Sequence, residues 1–317
     1  MAVVPAVLLV AVQILYPLTT GVARDRVTVA VVLLSAATAL THAARTRGVR
    51  WAAGVLVIVS GVGLLAEMVG TATGFPFGCY DYASGRIGPS VAGVPLVVAL
   101  AWTGGLYPVW IVAGQLYSRT VTRVTMTAAG AVGWDLFLDP QMVADGQWTW
   151  CSPWPGLPGL PEIPLTNYLG WFAVGLVMAG LLAAWDRISP KHGEAPAESG
   201  TTGQPFTPDA EPDTAVAPAA GHDRTEPSTA HAIEQPVPTR HRPGAVPVAA
   251  VRSGDVAVPV AVFLWTWFGS ALAHAVFLGL PVSAVYGVVG LGVLGIPLVR
   301  ALSARRITLW PVRHGTM

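Results

Sequence analysis

Long apolar runs alternate with short polar breaks along most of this chain. Runs of spanning length fall at roughly 2–22, 27–44, 52–70, 92–116, 123–139, 167–186, 256–279 and 282–301. A helix that crosses a bilayer core needs about 20 predominantly apolar residues. The pattern therefore predicts an all-α fold, a polytopic integral membrane helical bundle of about eight transmembrane helices. The second run is short, and the fifth carries Asp135 and Asp139. Gly and Pro recur inside the runs, which membrane helices tolerate because neighbouring groups satisfy the freed backbone. The last run holds Gly287, Gly290, Gly292 and Gly295, small residues that let helices approach closely.

Residues 188–254 break the pattern. They are rich in Pro, Ala, Thr, Glu and Asp and nearly lack bulky apolar side chains. Such a segment cannot bury enough surface to offset its ordering entropy, so a disordered linker is expected there. The organisation expected is then 1–187 for the first six helices, 188–254 for the linker, and 255–317 for the last two helices with a basic C-terminal tail.

Composition supports this class. Hydrophobic residues make up 53% of the chain and charged residues 11%, against roughly a quarter charged in a soluble domain. The net charge of +1 gives no basic field for nucleic acid. The first run lacks a basic leading region and a small-residue cleavage site, so it is expected to be a retained span. Lys and Arg set the orientation. Arg24, Arg26 and Arg86 fall on one side of the eight-span arrangement, and the other 15 of the 18 fall on the opposite side. Both termini are expected in the cytoplasm of a multi-pass cell-membrane protein, with the 71–91 and 140–166 loops outside. Arg24 and Arg26 fit this least well.

The chemistry then concentrates at one depth. Glu67, Asp135, Asp139 and His274 each lie near the outer end of a predicted helix. Asp135 and Asp139 are four apart and share a helix face. An ionisable group in a membrane segment is costly and is a functional candidate by default. The plain alternative is hydration in the headgroup zone, which suits Asp139 best because Pro140 is expected to end the fifth helix. For His274 the alternative is a satisfied packing histidine. The two outer loops are dense in Phe, Tyr, Trp, Gly and Pro: 74–82 holds Phe77, Tyr80 and Tyr82, and 146–154 holds Trp148 and Trp150. They form either an interfacial aromatic belt or a structured lid over an apolar pocket. Cys79 and Cys151 lie one in each loop, where an oxidising exterior permits a disulfide; two free thiols are the alternative.

Several classes lack their residues. No His cluster suits a di-iron oxygenase, and no acidic cluster suits a magnesium diphosphate. The only Lys, Lys191, lies outside the predicted helices, which excludes a retinal Schiff base. No phosphate loop and no GxSxG are present. Acid–base work by carboxyls remains, with no metal and no cofactor expected.

The sequence Glu67-Met68-Val69-Gly70, followed by Thr73-Gly74-Phe75-Pro76-Phe77-Gly78 and Tyr80-Asp81-Tyr82, resembles the membrane carotenoid biosynthesis family of the CruF type. So do Gly93-Val94-Pro95 leading into Trp102, and Gly133-Trp134-Asp135-Leu136-Phe137-Leu138-Asp139-Pro140-Gln141-Met142-Val143 continuing to Gly146, Trp148 and Trp150. Ile163-Pro164, Asn167 and Gly170-Trp171 complete a similarity spanning roughly 60–172. The resemblance implies hydration of the terminal 1,2 double bond on an acyclic carotenoid end group, giving a tertiary alcohol, as in the formation of bacterioruberin-type ends. It also implies a lipid-soluble carotenoid substrate, surrounding membrane lipid, and other carotenoid pathway enzymes as partners.

The residues suit such chemistry. Protonating a trisubstituted alkene gives a tertiary carbocation, which aromatic faces stabilise, and a carboxylate then directs or deprotonates the attacking water. Glu67, Asp135 and Asp139 are the candidate acid and base. Phe77, Tyr80, Tyr82, Trp134, Trp148, Trp150, Asn167, Trp171 and His274 are the candidate substrate-binding residues. Asp135 and Glu67 are expected to face each other across an aromatic cleft, with Asp139 in the wetter position. A carotenoid cyclase or isomerase using the same acid, and a small-solute transporter, are the alternatives.

Overall fold

The computed structural model describes residues 2–151, 155–189 and 256–304. The linker expected at 188–254 lies outside these from residue 190 onward, as do the C-terminal tail from residue 305 and Trp154 in the second loop. The described residues form α1 (Val3–Leu15), α2 (Gly21–Arg47), α3 (Val49–Thr73), α4 (Leu96–Leu116), α5 (Thr120–Ala144), α6 (Leu165–Ile188), α7 (Ala257–Leu272) and α8 (Pro281–Ser303). A 3₁₀ turn, Tyr16–Leu18, follows α1, and a π turn, Ala273–Phe277, continues α7.

The chain is an all-α polytopic membrane protein. Six helices are long and apolar enough to cross a bilayer: α2, α3, α4, α6, α7 with its π turn, and α8. The expected eight is not reached on that criterion. The apolar stretch Val3–Leu18 is short. Helix α5 has 25 residues, but Arg123, Asp135, Asp139 and its Thr and Gly residues lower its hydropathy. Polar groups in a membrane helix face the bundle interior. Accordingly α5 is enclosed, packing on α4, α6 and α8.

Helix α3 packs on α4 and α6, and α5 packs on the same two. These four helices close a ring in which α3 and α5 stand diagonally opposed. Backbone contact at the α5–α8 crossing needs glycine: a Cβ on Gly133 would lie 2.5 Å from the Gly290 carbonyl carbon. Without a hydrophobic drive between helices in lipid, such close approach supplies the packing. Gly48, at φ 91°, links α2 to α3, and Gly74, at φ 73°, caps α3 with its N–H on the Gly70 carbonyl at 2.7 Å.

Most helix boundaries differ from the expected runs by a few residues, α1 ending at Leu15 rather than near 22, and two of the shifts change the setting of charged residues. Helix α2 begins at Gly21 rather than near 27, taking in Arg24, Asp25 and Arg26. Helix α5 continues through Pro140 to Ala144, so Asp139 lies inside the helix and the second loop is shorter than expected.

Both connections at one end of the ring fold into a lid, not merely a belt of interfacial rings. Strand β1 (Tyr80–Tyr82) pairs antiparallel with β4 (Trp148–Trp150), with Tyr80 opposite Trp150 and Tyr82 opposite Trp148. Small hairpins flank it: β2 (Ser90–Val91) with β3 (Val94–Pro95), and β5 (Gly156–Leu157) with β6 (Leu160–Pro164). Cys79 and Cys151 form a disulfide with Cα atoms 5.1 Å apart. Phe77 wedges between α3 and α6, where Gly70 and Gly170 leave room for its ring.

Ion pairs fasten this lid to the bundle. Arg86 pairs with Asp25 at 2.7 Å and Arg24 with Asp145 at 3.1 Å. The Gln147 amide donates to both carboxylates. Arg24, awkward for the charge bias, is thus matched by an acid, and α2 extends to carry that pairing. At the opposite end Asp186 accepts from Arg47, Arg123 and the Trp51 indole.

Candidate active site

The lid covers a cavity inside the α3–α6 ring. Helix α3 contributes Glu67, α5 contributes Asp135, Leu138 and Asp139, and α6 contributes Asn167 and Trp171. Helix α4 presents Val98, Ala101 and Trp102, which share one face at spacings of three and four. The lid closes the top with Tyr80, Tyr82, Trp148 and Trp150. The diagonal placement of α3 and α5 sets Glu67 across the cavity from the two aspartates.

All three carboxyls are buried. Relative exposure is 4% for Glu67, 1% for Asp135 and 4% for Asp139. The expectation that Asp139 is the wetter one fails, because α5 does not end at Pro140. One Asn167 amide nitrogen donates to both aspartates, to Asp135 Oδ2 at 3.2 Å and to Asp139 Oδ2 more closely. On the other wall the Tyr80 hydroxyl donates to Glu67 Oε2 at 2.5 Å, and Tyr82 reaches the same carboxyl. Burial, then the Glu67 carboxylate, pushes both phenols well above the ordinary phenol range. They therefore remain donors throughout the physiological pH range. Among the described residues, no Arg, Lys or His lines the cavity.

The walls are aromatic rings packed against one another, tilted or edge-on. Trp171 lies 4.0 Å from Trp102 and 4.4 Å from Phe77, centroid to centroid. Tyr80 lies 4.8 Å from Trp150, and Tyr82 lies 5.5 Å from Trp148. The cavity volume is about 30 Å³, room for one or two waters.

Nine of the twelve sequence candidates line this cavity: Glu67, Asp135, Asp139, Tyr80, Tyr82, Trp148, Trp150, Asn167 and Trp171. Phe77 stands behind Trp171. Trp134 stands behind Trp102, edge-on at 5.3 Å, and faces a second small cavity beside Gly105, Pro108 and Phe263. His274 is not brought to the cavity. It is fully buried between α5 and α8, bonded to Ser283 and Gln141. Trp102 and Leu138, motif residues outside the candidate set, and Val98 and Ala101, outside any motif, also line it; their helical spacing with Gly105 and Asp135 is the signal that could have found them.

Residues 27–199 match the model of a family described as carotenoid biosynthesis protein. The chain belongs to the carotenoid biosynthesis protein family. A curated relative, bisanhydrobacterioruberin hydratase of Haloarcula japonica, is 30% identical over 116 residues, which is 35% of this chain and 38% of that protein. The chain thus spans well under half the length of that relative. No solved structure matches. The family segment contains every residue that lines the main cavity, while α7 and α8 lie outside it.

Proposed function

We propose that the protein hydrates the terminal 1,2 double bond of an acyclic carotenoid end group by carboxyl acid–base catalysis. The observation that carries this reading is the cavity itself: three buried carboxyls on opposite walls, surrounded by aromatic faces, with no cation among the described residues that line it. Its likeness to a hydratase is the second support.

Each part has a task. The Asp135–Asp139 pair, held by one amide, delivers a proton to the less substituted alkene carbon. The tertiary cation left on the other carbon rests against Trp102, Trp171 and Trp150, whose π-faces favour it. Water attacks that carbon, and Glu67, steadied by two phenols, takes the proton that water loses. One proton is given and one received, so the carboxyl set is restored once a proton passes back across the cavity. At about 30 Å³ the cavity admits water but not an isoprenoid end group, so the end group enters by displacing ring side chains of the lid. The polyene behind it follows the half-buried face of α4 formed by Val98, Ala101 and Gly105, past Trp134 toward the second cavity.

Expression in a lycopene-producing bacterium, with mass analysis of the pigments, tests the reaction. One or two added waters are expected. A new ring without added water would make the protein a cyclase, and unchanged lycopene would sink the hydratase reading.

The same reading puts the lid on the outer face, supported by the arginine bias and by a disulfide, which persists in oxidising compartments. Reporter fusions after Ser84 and after Gly146 are expected to report from outside. Cytoplasmic signals from both would reverse the orientation.

A further inference from the structure

We infer that Ser283 and His274 are positioning residues for the carboxyl pair on α5, supplying a hydrogen bond that Pro140 takes away. The link to catalysis rests on the hydratase reading above; the hydrogen bond does not. Proline has no N–H. In an α-helix the donor for the Leu136 carbonyl would be the N–H four residues on, which is the position of Pro140. The gap therefore opens in the turn that carries Asp135 and Asp139. Helix α5 nevertheless runs unbroken to Ala144.

Ser283, from the first turn of α8, fills the gap. Its hydroxyl donates to the Leu136 carbonyl at 2.7 Å. With its hydrogen committed there, Ser283 Oγ accepts from His274 Nδ1 at 2.9 Å. This fixes the tautomer of a neutral His274, with hydrogen on Nδ1 and a lone pair on Nε2. Nε2 lies 3.1 Å from Gln141 Oε1. The amide donates to it once its oxygen and nitrogen are exchanged, an assignment that heavy-atom positions leave open. Gln141 follows Pro140 directly, so the relay grips α5 on both sides of the proline. The π turn Ala273–Phe277, which closes α7, carries the histidine. All four relay groups lie at the lid end of the bundle, beside the cavity but not lining it.

If the carbonyl lost its donor, the proline ring would press on an unsatisfied group and the helix would bend there. Asp135 and Asp139 would then shift against Asn167. A misplacement of about 1 Å costs about 100-fold in rate.

The test compares wild type, Ser283→Ala, Ser283→Thr, and the double variant Ser283→Ala with Pro140→Ala. Each is assayed in membranes for hydration of lycopene and for amide hydrogen exchange over residues 132–144. Ser283→Ala is expected to lower kcat about 10- to 100-fold, with KM within about twofold, and to speed exchange. Ser283→Thr keeps the hydroxyl and should restore both. The double variant should also restore both, because an alanine at position 140 supplies the missing backbone N–H. A residue needed only for packing would not be rescued from another helix in this way. Wild-type turnover and exchange in Ser283→Ala overturn the inference. So does a double variant no better than the single one, including the case in which neither reaches the membrane. If wild type forms no hydroxylated product, the hydratase reading fails, and the exchange measurements still decide whether Ser283 holds α5.

Discussion

Asp135→Asn and Glu67→Gln are each expected to lower hydroxylated carotenoid about 10²–10⁴-fold, the usual contribution of a general acid or base. Both replacements keep the shape of the side chain. An amide oxygen can still accept from Asn167 at position 135 and from Tyr80 at position 67, so the protein should reach the membrane in normal amount. On the hydratase reading, what is lost is the ability to give or take a proton beside the alkene. The two losses should look alike in product yield, because hydration needs both the proton delivered and the proton removed. Asp81→Asn is the control: it sits in the same lid as Tyr80 and Tyr82, but its side chain is exposed, and conversion should stay near wild type. The measurement is pigment mass analysis normalised to membrane protein. Wild-type conversion by both carboxyl variants would show that the cavity carboxyls are not the acid and base.

The membrane bundle was legible because hydropathy in a bilayer is a local property. A run long enough to span declares itself without reference to the rest of the chain. The meeting of Glu67 with Asp135 was legible for a related reason: placing each helix by its ends fixes depth, and ionisable groups at a common depth have few places to go. What failed depended on partners distant in sequence. Pro140 read as a stop because proline removes a backbone donor. The replacement donor, Ser283, lies in α8, and no local pattern links the two. The wetter role expected for Asp139 fell with that boundary. The start of α2 differs for the same reason: Arg24 and Asp25 find partners in Asp145, Gln147 and Arg86, which lie in the two loops. Trp102 was visible in the sequence as part of a motif. Its place against Trp171 depends on how α4 and α6 rotate about their axes, which a helix buried on nearly all sides does not reveal through a hydrophobic face.

Removing the Cys79–Cys151 bond by a Cys79→Ser and Cys151→Ser double variant is expected to lower stability by about 2–4 kcal/mol and to reduce hydration by at least about tenfold. The stability effect follows from the 72 residues that separate the two cysteines: closing so long a loop restricts the unfolded chain. The effect on hydration follows from what the bond holds. Strands β1 and β4 are three residues each, too short for a two-stranded pair to be stable alone. The disulfide adjoins the Tyr80–Trp150 pair and is reinforced by the Cys151 N–H on the Cys79 carbonyl at 2.8 Å. Released, the pair would slip, Tyr80 would leave Glu67, and Trp150 would leave the cavity roof. Bulk water would then enter, and the cation would lose an aromatic wall at the same moment. Reduction of the wild-type protein with a thiol should reproduce the loss, and reoxidation should reverse it, which a folding defect confined to the variant would not do. The arginine and aspartate pairs at Asp25 and Asp145 keep the lid attached, so the variant should still reach the membrane. Thermal unfolding in detergent and pigment conversion, measured on the same preparations, check both parts. A double variant with unchanged melting and unchanged product would show that the aromatic pairing and the ion pairs hold the lid without the covalent bond.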